Sequence, residues 1–383
     1  MVRTWISAQL FFFMFGWAVY VGYWAVLLIP RGFDGRAVGL AVTVGLVTRA
    51  VSLALAFPAV NARVPLGVII RVVPWLSVGC AALFIPRDSY ALVIVASAAL
   101  GFVFPVLLAA LETLATLAAA KGRIEYGPTR MVGSIGYIVG TFCCGAVQGI
   151  WGSEALLWLF VAACVVLGFA GVLPVEVDAG GAQKAAGVRE WGRIFSRRDI
   201  VVVIVVMVLL QASHAAYYTY GSVRFMQLGA SPMLVSTLLN VAQGTEILFL
   251  LAAPRYQDRW SVRTLLAISL VAAAVRWGVL GVAGTTLVAG LAQPLHGITF
   301  AVAQVAFTRF LARDVPPDLA GPIQGLMNAA AMGLGLAGMT AVAGVLWDRS
   351  VFAAFAVMVV VALAGLPFLS RAFVPVLGER PRP

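Results

Sequence analysis

Five charged residues stand inside, or at the entrance of, long apolar segments of this sequence: Arg49, Glu112, Arg130, Glu246 and Arg276. A charge at the centre of a lipid bilayer costs about 2.5–3.5 kcal/mol on insertion scales, so each such residue indicates a partner or a function. Guanidinium groups bind carboxylates through two parallel hydrogen bonds. The set therefore indicates ion pairs that serve transport, or a binding site for an organic anion.

Three of these residues lie in the N-terminal half. Glu112 and Arg130 are expected to form a charge pair that binds or gates a substrate; the alternative is a structural salt bridge between adjacent helices. Arg49 has no acid within one helical turn. Its counter-ion must come from elsewhere in the fold or from the substrate, so we expect Arg49 to bind substrate; the alternative is a pair with a distant glutamate.

Glu246 is the only acid within the apolar segments of the C-terminal half. Low-dielectric surroundings favour the neutral, protonated form of a carboxyl group, which is the condition for a proton carrier. We therefore predict that Glu246 is the proton site and that Arg276 and His296 belong to the same coupling network. A static Glu246–Arg276 pair is the alternative.

Polar side chains also recur at helical spacing. His214 has Tyr217 and Tyr218 three and four residues later, which places the three on one helical face. This face could stack an aromatic substrate, although the tyrosines could instead form an interfacial aromatic belt. Gln324 and Asn328, one turn apart in a glycine-rich segment, are further candidates for substrate contacts.

Apolar segments must position these residues, and the chain has twelve of them. It is 62% hydrophobic and 11% charged, whereas a soluble domain carries about 25% charged residues. About 20 apolar residues span about 30 Å of hydrocarbon. We therefore predict an all-α integral membrane protein. Its twelve transmembrane helices, called spans 1–12, are expected at 5–29, 37–59, 67–86, 90–118, 130–150, 154–174, 200–226, 232–254, 263–282, 286–311, 321–346 and 351–372.

The longest polar stretch falls near the middle of the chain. It predicts two pseudo-symmetric six-helix bundles, at 1–174 and 200–383, joined by a cytoplasmic linker at 175–199. Nineteen Lys and Arg residues fall on the side of the expected N-terminus and five on the other. The positive-inside rule then places both termini in the cytoplasm and the protein in the inner (plasma) membrane.

Other classes of protein find little support in the sequence. The net charge of +11 is spread over short loops without a binding motif, so nucleic-acid binding is not expected. The motifs HExxH, GxSxG and GxxxxGK[ST] are absent, which disfavours an enzyme and an ATP-driven pump. The four cysteines lie in apolar runs as packing residues, and we expect neither metal nor cofactor.

Several motifs resemble the major facilitator superfamily. The segment 254–263 resembles its cytoplasmic loop motif, with Asp258, Arg259 and Arg263 matching and both glycines replaced. The resemblance implies that these three residues act in gating. The segments 125–137, 214–218, 275–278, 295–300 and 332–333 resemble the lactose permease and phenylpropionate permease branch.

Within that branch, the resemblance assigns roles to individual positions. Glu112 and Arg130 fall where lactose permease has its sugar-binding pair, and Arg276 and His296 match its proton-coupling Arg and His. Two positions differ from the branch. Thr299 stands where lactose permease has the carboxylate that releases the coupling proton, and Gln243 stands where it has another essential glutamate.

These observations lead us to expect a secondary transporter, a proton-coupled symporter of a small organic solute that works as a monomer. The excess of arginines over glutamates within the spans, together with the tyrosines, favours an aromatic or similar monocarboxylate. An exporter of the same fold, a sugar or nucleoside symporter, and a non-transporting receptor or scaffold remain the alternatives.

Overall fold

A computed structural model describes residues 2–86, 89–172 and 188–372 of the chain. These described residues form helices and connecting turns without a β-strand, which confirms the all-α prediction. A membrane favours this outcome, because each backbone N–H and C=O in hydrocarbon must be satisfied within its own segment. Of the basic residues counted above, Arg87, Lys184, Arg380 and Arg382 lie outside the described residues.

Ten helices of the described part are long and apolar enough to cross a membrane. They begin and end at Val2–Gly22, Gly35–Asn61, Tyr90–Ala120, Tyr126–Trp151, Ala155–Val172, Arg198–Gln227, Pro232–Tyr256, Val262–Val282, Pro317–Trp347 and Val351–Leu369. The other two predicted spans are also helical. Span 3 is the shorter helix Leu66–Ala82, and span 10 is interrupted, with helices Thr286–Leu291 and Ala303–Arg313 on either side of a break.

Three spans contain a segment of π-helix, in which the backbone hydrogen bonds are one residue wider than in an α-helix. These segments are Ser52–Ala56 in span 2, Gly297–Val302 in span 10 and Asn328–Gly335 in span 11. π-Helical turns concentrate at functional sites. Here one begins three residues after Arg49 and another directly after His296.

Of the predicted linker, residues 175–187 lie outside the described residues. The remainder forms the helix Val188–Ser196, which we call the linker helix. Its Ile194 is buried, and its Arg193 forms an ion pair with Asp318 at the start of span 11. Span 7 then begins at Arg198.

Hydrogen bonds between the first six and the last six spans gather at one end of the molecule. Asp348, after span 11, accepts hydrogen bonds from the backbone N–H groups of Gly35 (2.9 Å) and Arg36 (3.1 Å) at the start of span 2. Tyr23 of span 1 and Ser236 of span 8 are hydrogen-bonded at 2.7 Å. We call this end the sealed side, and the opposite end, which carries the linker helix, the linker side.

Glycines allow this close packing. A Cβ atom added to Gly39 of span 2 would lie 2.8 Å from the Cα of Gly344 in span 11, closer than real Cβ atoms approach another atom. Nearer the middle, Asn240 donates to the carbonyl of Ile138 at 3.2 Å. Further toward the linker side, no hydrogen bond between two described residues joins spans 1–6 to spans 7–12. The described hydrogen bonds between the two sets of spans therefore join them on the sealed side and near the middle of the molecule.

Candidate functional site

Three ionisable side chains, one each from spans 8, 9 and 10, form a continuous chain of polar contacts. His296 Nδ1 lies 2.8 Å from Arg276 Nη1, and His296 Nε2 lies 3.4 Å from Glu246 Oε2. A guanidinium can only donate hydrogen bonds, so Nδ1 must be the acceptor and the proton of the neutral imidazole sits on Nε2. The Nε2–H group then points at the carboxylate of Glu246. His296 thus links the cation of Arg276 to the acid.

Span 9 holds Arg276 completely buried. Its Nη2 donates to Gln293 Oε1 at 3.1 Å, and that oxygen also accepts from the hydroxyl of Tyr217 at 2.9 Å. The guanidinium lies 4.1 Å from the ring centre of Tyr217 and 4.8 Å from that of Trp277, within the range of cation–π attraction. No carboxylate of the described residues bonds to Arg276, so the alternative of a static Glu246–Arg276 pair is wrong; the two residues are linked through His296.

His214 of span 7 joins the same cluster. Its Nδ1 donates to the carbonyl of Leu210 at 2.8 Å, which leaves Nε2 to face the hydroxyl of Thr299 at 3.2 Å. The ring of Tyr218 lies 5.3 Å from the imidazole of His214. Thr299, which stands where lactose permease has an acid, thus presents its hydroxyl group to His214.

The tyrosines of span 7 lie inside the protein. Tyr217 is 6% exposed and Tyr220 is fully buried, so the alternative of an interfacial aromatic belt is wrong for them. The hydroxyl of Tyr220 donates to the carbonyl of Gly35 at 2.5 Å, which places this residue in the sealed side.

On the linker side, Glu112 and Arg130 form the predicted pair, with Arg130 Nε 2.6 Å from Glu112 Oε1. The hydroxyl of Tyr126 donates to the other oxygen of Glu112 at 2.7 Å. The side chains of Glu112 and Arg130 are 27% and 30% exposed, so solvent reaches them. Arg130 also interacts electrostatically with Glu246 of span 8, across the boundary between the two sets of spans.

Arg49 stands at the same boundary, nearer the sealed side. Its Nη2 donates to the backbone carbonyl of Met332, in the π-helix of span 11, at 2.5 Å. Its guanidinium carbon lies 5.6 Å from the ring centre of Trp17 in span 1. The alternative of a pair with a distant glutamate is therefore wrong, since no described acid bonds to Arg49.

The remaining predicted residues lie apart from this cluster. Gln324 and Asn328 bond to each other at 3.4 Å near the linker side. Asp258 pairs with Arg313 at the end of span 10, at 2.7 Å. Arg259 is exposed in the same loop, and Arg263 is exposed in the first turn of the helix Val262–Val282 that follows it. The described residues contain no group of three His, Cys, Asp or Glu that could hold a metal ion.

Sequence reasoning missed several residues of the site, namely Trp17, Tyr20, Tyr126 and Trp277. One signal was present for the first two: aromatic residues recur in span 1 at 13, 17, 20 and 24, alternately four and three residues apart. That spacing marks a continuous helical stripe. Nothing in the sequence alone says which neighbouring span the stripe faces.

Comparisons with known proteins identify the family and the fold of this chain. Residues 4–357 match the MFS_1-like family. The chain is 27% identical over 377 residues to the "Probable 3-phenylpropionic acid transporter" of Escherichia coli (strain K12), across 97% of this chain and 98% of that protein. The crystal structure of the nucleoside transporter NupG matches at a TM-score of 0.84 and 15% identity, across 96% and 98% of the two chains. The D-xylose-proton symporter matches at a TM-score of 0.70 and 15% identity, across 96% and 97%. At these identities, the structural matches show a shared fold alone.

Proposed function

Since this chain belongs to the MFS_1-like family and is a multi-pass membrane transporter, we propose that it is a proton-coupled symporter of an aromatic monocarboxylate that works by alternating access. The observation that carries the proposal is the chain Arg276–His296–Glu246, in which Arg276 and His296 are buried and the side chain of Glu246 is 16% exposed. The name of the relative from Escherichia coli supports the substrate class.

The hydrogen bonds assign different tasks to the three groups. While Arg276 donates to Nδ1 of His296, that nitrogen has no lone pair left for a proton. Glu246 is then the group that accepts the proton, and His296 holds its carboxylate in place. Protonation of Glu246 removes the negative charge that attracts His296 Nε2–H and Arg130.

Charge balance couples the two solutes. Moving an unpaired charge through a low-dielectric interior is costly. A carrier that holds one proton and one monocarboxylate gains no net charge, and an empty carrier keeps Glu246 opposite its cationic neighbours. A carrier loaded with the anion alone, or the proton alone, has an unbalanced charge and closes less readily. Alternation between the empty and the doubly loaded state is symport.

Movement of the whole molecule follows from the same architecture. We propose that 1–174 and 200–383 rock as two bundles around the site, that the linker 175–199 joins them on the cytoplasmic side, and that both termini are cytoplasmic. The distribution of basic residues supports this orientation in the plasma membrane. The loop with Asp258, Arg259 and Arg263 is proposed to steady the C-terminal bundle during this movement, because Asp258 ties the end of span 8 to the end of span 10.

The proposal is tested by uptake of radiolabelled 3-phenylpropionate into proteoliposomes of the purified protein. With a more acidic exterior, we expect an initial rate of uptake above that of protein-free liposomes, which accounts for passive entry of the neutral acid. Without a pH gradient, we expect equilibration alone. Protein-dependent uptake that ignores the gradient would contradict proton coupling, and an absence of protein-dependent uptake would contradict the substrate class.

A further inference from the structure

We propose that Arg49, Trp17 and Tyr20 form the subsite that recognises the substrate, with the carboxylate on Arg49 and the aromatic ring against Trp17 and Tyr20. This inference rests on the proposed function and names the residues that select its substrate. It also separates the task of binding the anion from the task of carrying the proton, which belongs to Glu246.

The states of the other two arginines argue against them as the carboxylate site. Arg130 is already neutralised by Glu112 at 2.6 Å. Arg276 is fully buried, with its terminal nitrogens engaged by His296 and Gln293 and aromatic rings nearby. A substrate anion would have to displace a carboxylate from the first, or reopen a packed core to reach the second.

Arg49 differs from both. It is partly exposed, and its hydrogen bond to the described residues goes to a neutral acceptor, the carbonyl of Met332. A guanidinium carries five N–H donors in a planar fork, so most of its donors remain for a ligand. A cation inside a membrane protein without an acidic partner among the described residues is a site prepared for an anion.

The aromatic wall beside Arg49 suits a flat, apolar group. The ring centres of Trp17 and Tyr20 lie 5.9 Å apart, and the ring of Phe104 lies 6.2 Å from Trp17 and 6.1 Å from Tyr20. The buried rings of Phe13 and Phe104 stack at 4.8 Å and support this wall from within the first six spans. Trp17 and Tyr20 themselves keep part of their surface exposed.

Tyr20 reaches the face of span 2 that carries Arg49. A Cβ atom on Gly45, one helical turn before Arg49, would lie 3.0 Å from the hydroxyl oxygen of Tyr20. The absence of a side chain at Gly45 therefore makes room for the tyrosine. Arg49 and the ring of Trp17 lie 5.6 Å apart, and Tyr20 reaches the same helical face, an arrangement that suits an aromatic carboxylate with a short side chain.

The hydrogen bond from Arg49 to Met332 also connects substrate binding with movement of the spans. It joins span 2 to the π-helix of span 11, across the boundary between the two sets of spans. A carboxylate that takes two parallel hydrogen bonds from Arg49 competes with the Met332 carbonyl for the same donors. Substrate binding would thus loosen a contact that must break when the sealed side opens.

Equilibrium binding in detergent tests the subsite with three probes: 3-phenylpropionate, its neutral amide, and 3-cyclohexylpropionate. For the wild type we expect the acid to bind at least tenfold more tightly than the amide. Arg49→Gln should reduce that ratio to about one, and Arg49→Lys should keep part of it because the charge remains. Trp17→Leu should leave the acid-to-amide ratio intact and remove the preference for the phenyl over the cyclohexyl group.

Arg63→Gln is the matched control, since Arg63 is exposed at the linker-side end of the same span and should change neither ratio. Melting temperatures of all variants establish folding, and Arg49→Lys supplies a result even where Arg49→Gln fails to fold. A wild-type acid-to-amide ratio in Arg49→Gln, together with proton-driven uptake, overturns the subsite and leaves the proposed function intact. A wild type that binds acid and amide equally overturns both.

Discussion

The division of labour among single residues follows from which atoms can donate and which can accept. Because Arg276 occupies Nδ1 of His296, the imidazole can present only its Nε2–H group to Glu246. A histidine held in this way orients a carboxylate and does not itself take up the coupling proton. Thr299 in place of an acid fits this scheme, since the proposed proton site is Glu246 on span 8.

Replacing Glu246 with Gln should therefore abolish the protein-dependent uptake that a pH gradient drives. The amide keeps the shape of the carboxyl group and cannot exchange a proton, so exchange of labelled for unlabelled substrate across the membrane should persist. Uptake and counterflow in the same proteoliposomes measure the two properties. Glu125→Gln, at the exposed entrance of span 5, is the control and should retain this uptake; protein-dependent uptake retained by Glu246→Gln under the gradient would refute the role.

The sequence predicted the residues of this site better than their contacts. Intramembrane charge alone pointed to Glu112, Arg130, Glu246 and Arg276, because such residues are too costly to be incidental. The partners required the fold: His296 lies between Glu246 and Arg276, and residue spacing within one helix cannot reveal a contact between three helices.

At the scale of helices, irregular segments accompany the site. Hydrophobic runs predicted the ten described helices that are long enough to cross a membrane, yet they gave no sign of the π-helices in spans 2, 10 and 11 or of the break in span 7 near Ser213. These irregularities depend on hydrogen bonds and packing between spans. Ser213, for example, accepts a hydrogen bond from the indole of Trp277 at 3.1 Å.

The sealed side depends on a carboxylate that caps a helix of the other half. Removing it with Asp348→Ala leaves the N–H groups of Gly35 and Arg36 without this partner. The loss is about 1–2 kcal/mol, which should raise the population open on the sealed side by roughly fivefold or more. The labelling rate of a cysteine introduced at the buried Ser222, in a background without native cysteines, measures this population.

Asp34→Ala is the matched control for that experiment. Asp34 caps the same helix by accepting from the N–H of Ala37, at 2.7 Å, but Asp34 and this helix lie in the same half of the molecule. Its removal should cost about 1 kcal/mol of stability and leave the labelling rate unchanged. Equal labelling rates in both variants would mean that the contact across the boundary does not hold the sealed side closed.

An ion pair with a buried arginine fixes the end of span 1 against the start of span 6. Arg31 binds Glu154 through two hydrogen bonds of 2.8 and 2.7 Å and also donates to the carbonyl of Phe84 at 2.6 Å. The Arg31 side chain is 2% exposed and that of Glu154 is 36% exposed, so Arg31→Ala should lower the free energy of unfolding by about 2 kcal/mol. Thermal unfolding in detergent measures the change. The exposed pair of Arg193 and Asp318 is the comparison, and Arg193→Ala should cost less than about 1 kcal/mol; equal losses would contradict the argument from burial.

At the scale of the whole molecule, we expect transport to depend on one protonatable acid, Glu246, and one anion-binding cation, Arg49. The molecule is closed on its sealed side, and Glu112 and Arg130 are partly exposed on the linker side. One protonatable acid predicts one proton for each substrate. A monocarboxylate that travels with one proton carries no net charge, so its transport should be indifferent to membrane potential.

The most direct test compares two driving forces in the same proteoliposomes, with protein-free liposomes and Glu246→Gln as controls. A pH gradient at zero membrane potential should drive initial uptake of 3-phenylpropionate faster in the wild type than in either control, whose uptake is the passive entry of the neutral acid. A membrane potential of either sign at equal pH should drive no accumulation. Protein-dependent uptake that follows the membrane potential would contradict electroneutral symport. Protein-dependent uptake that persists in Glu246→Gln under the pH gradient would contradict the role of Glu246 as the proton site.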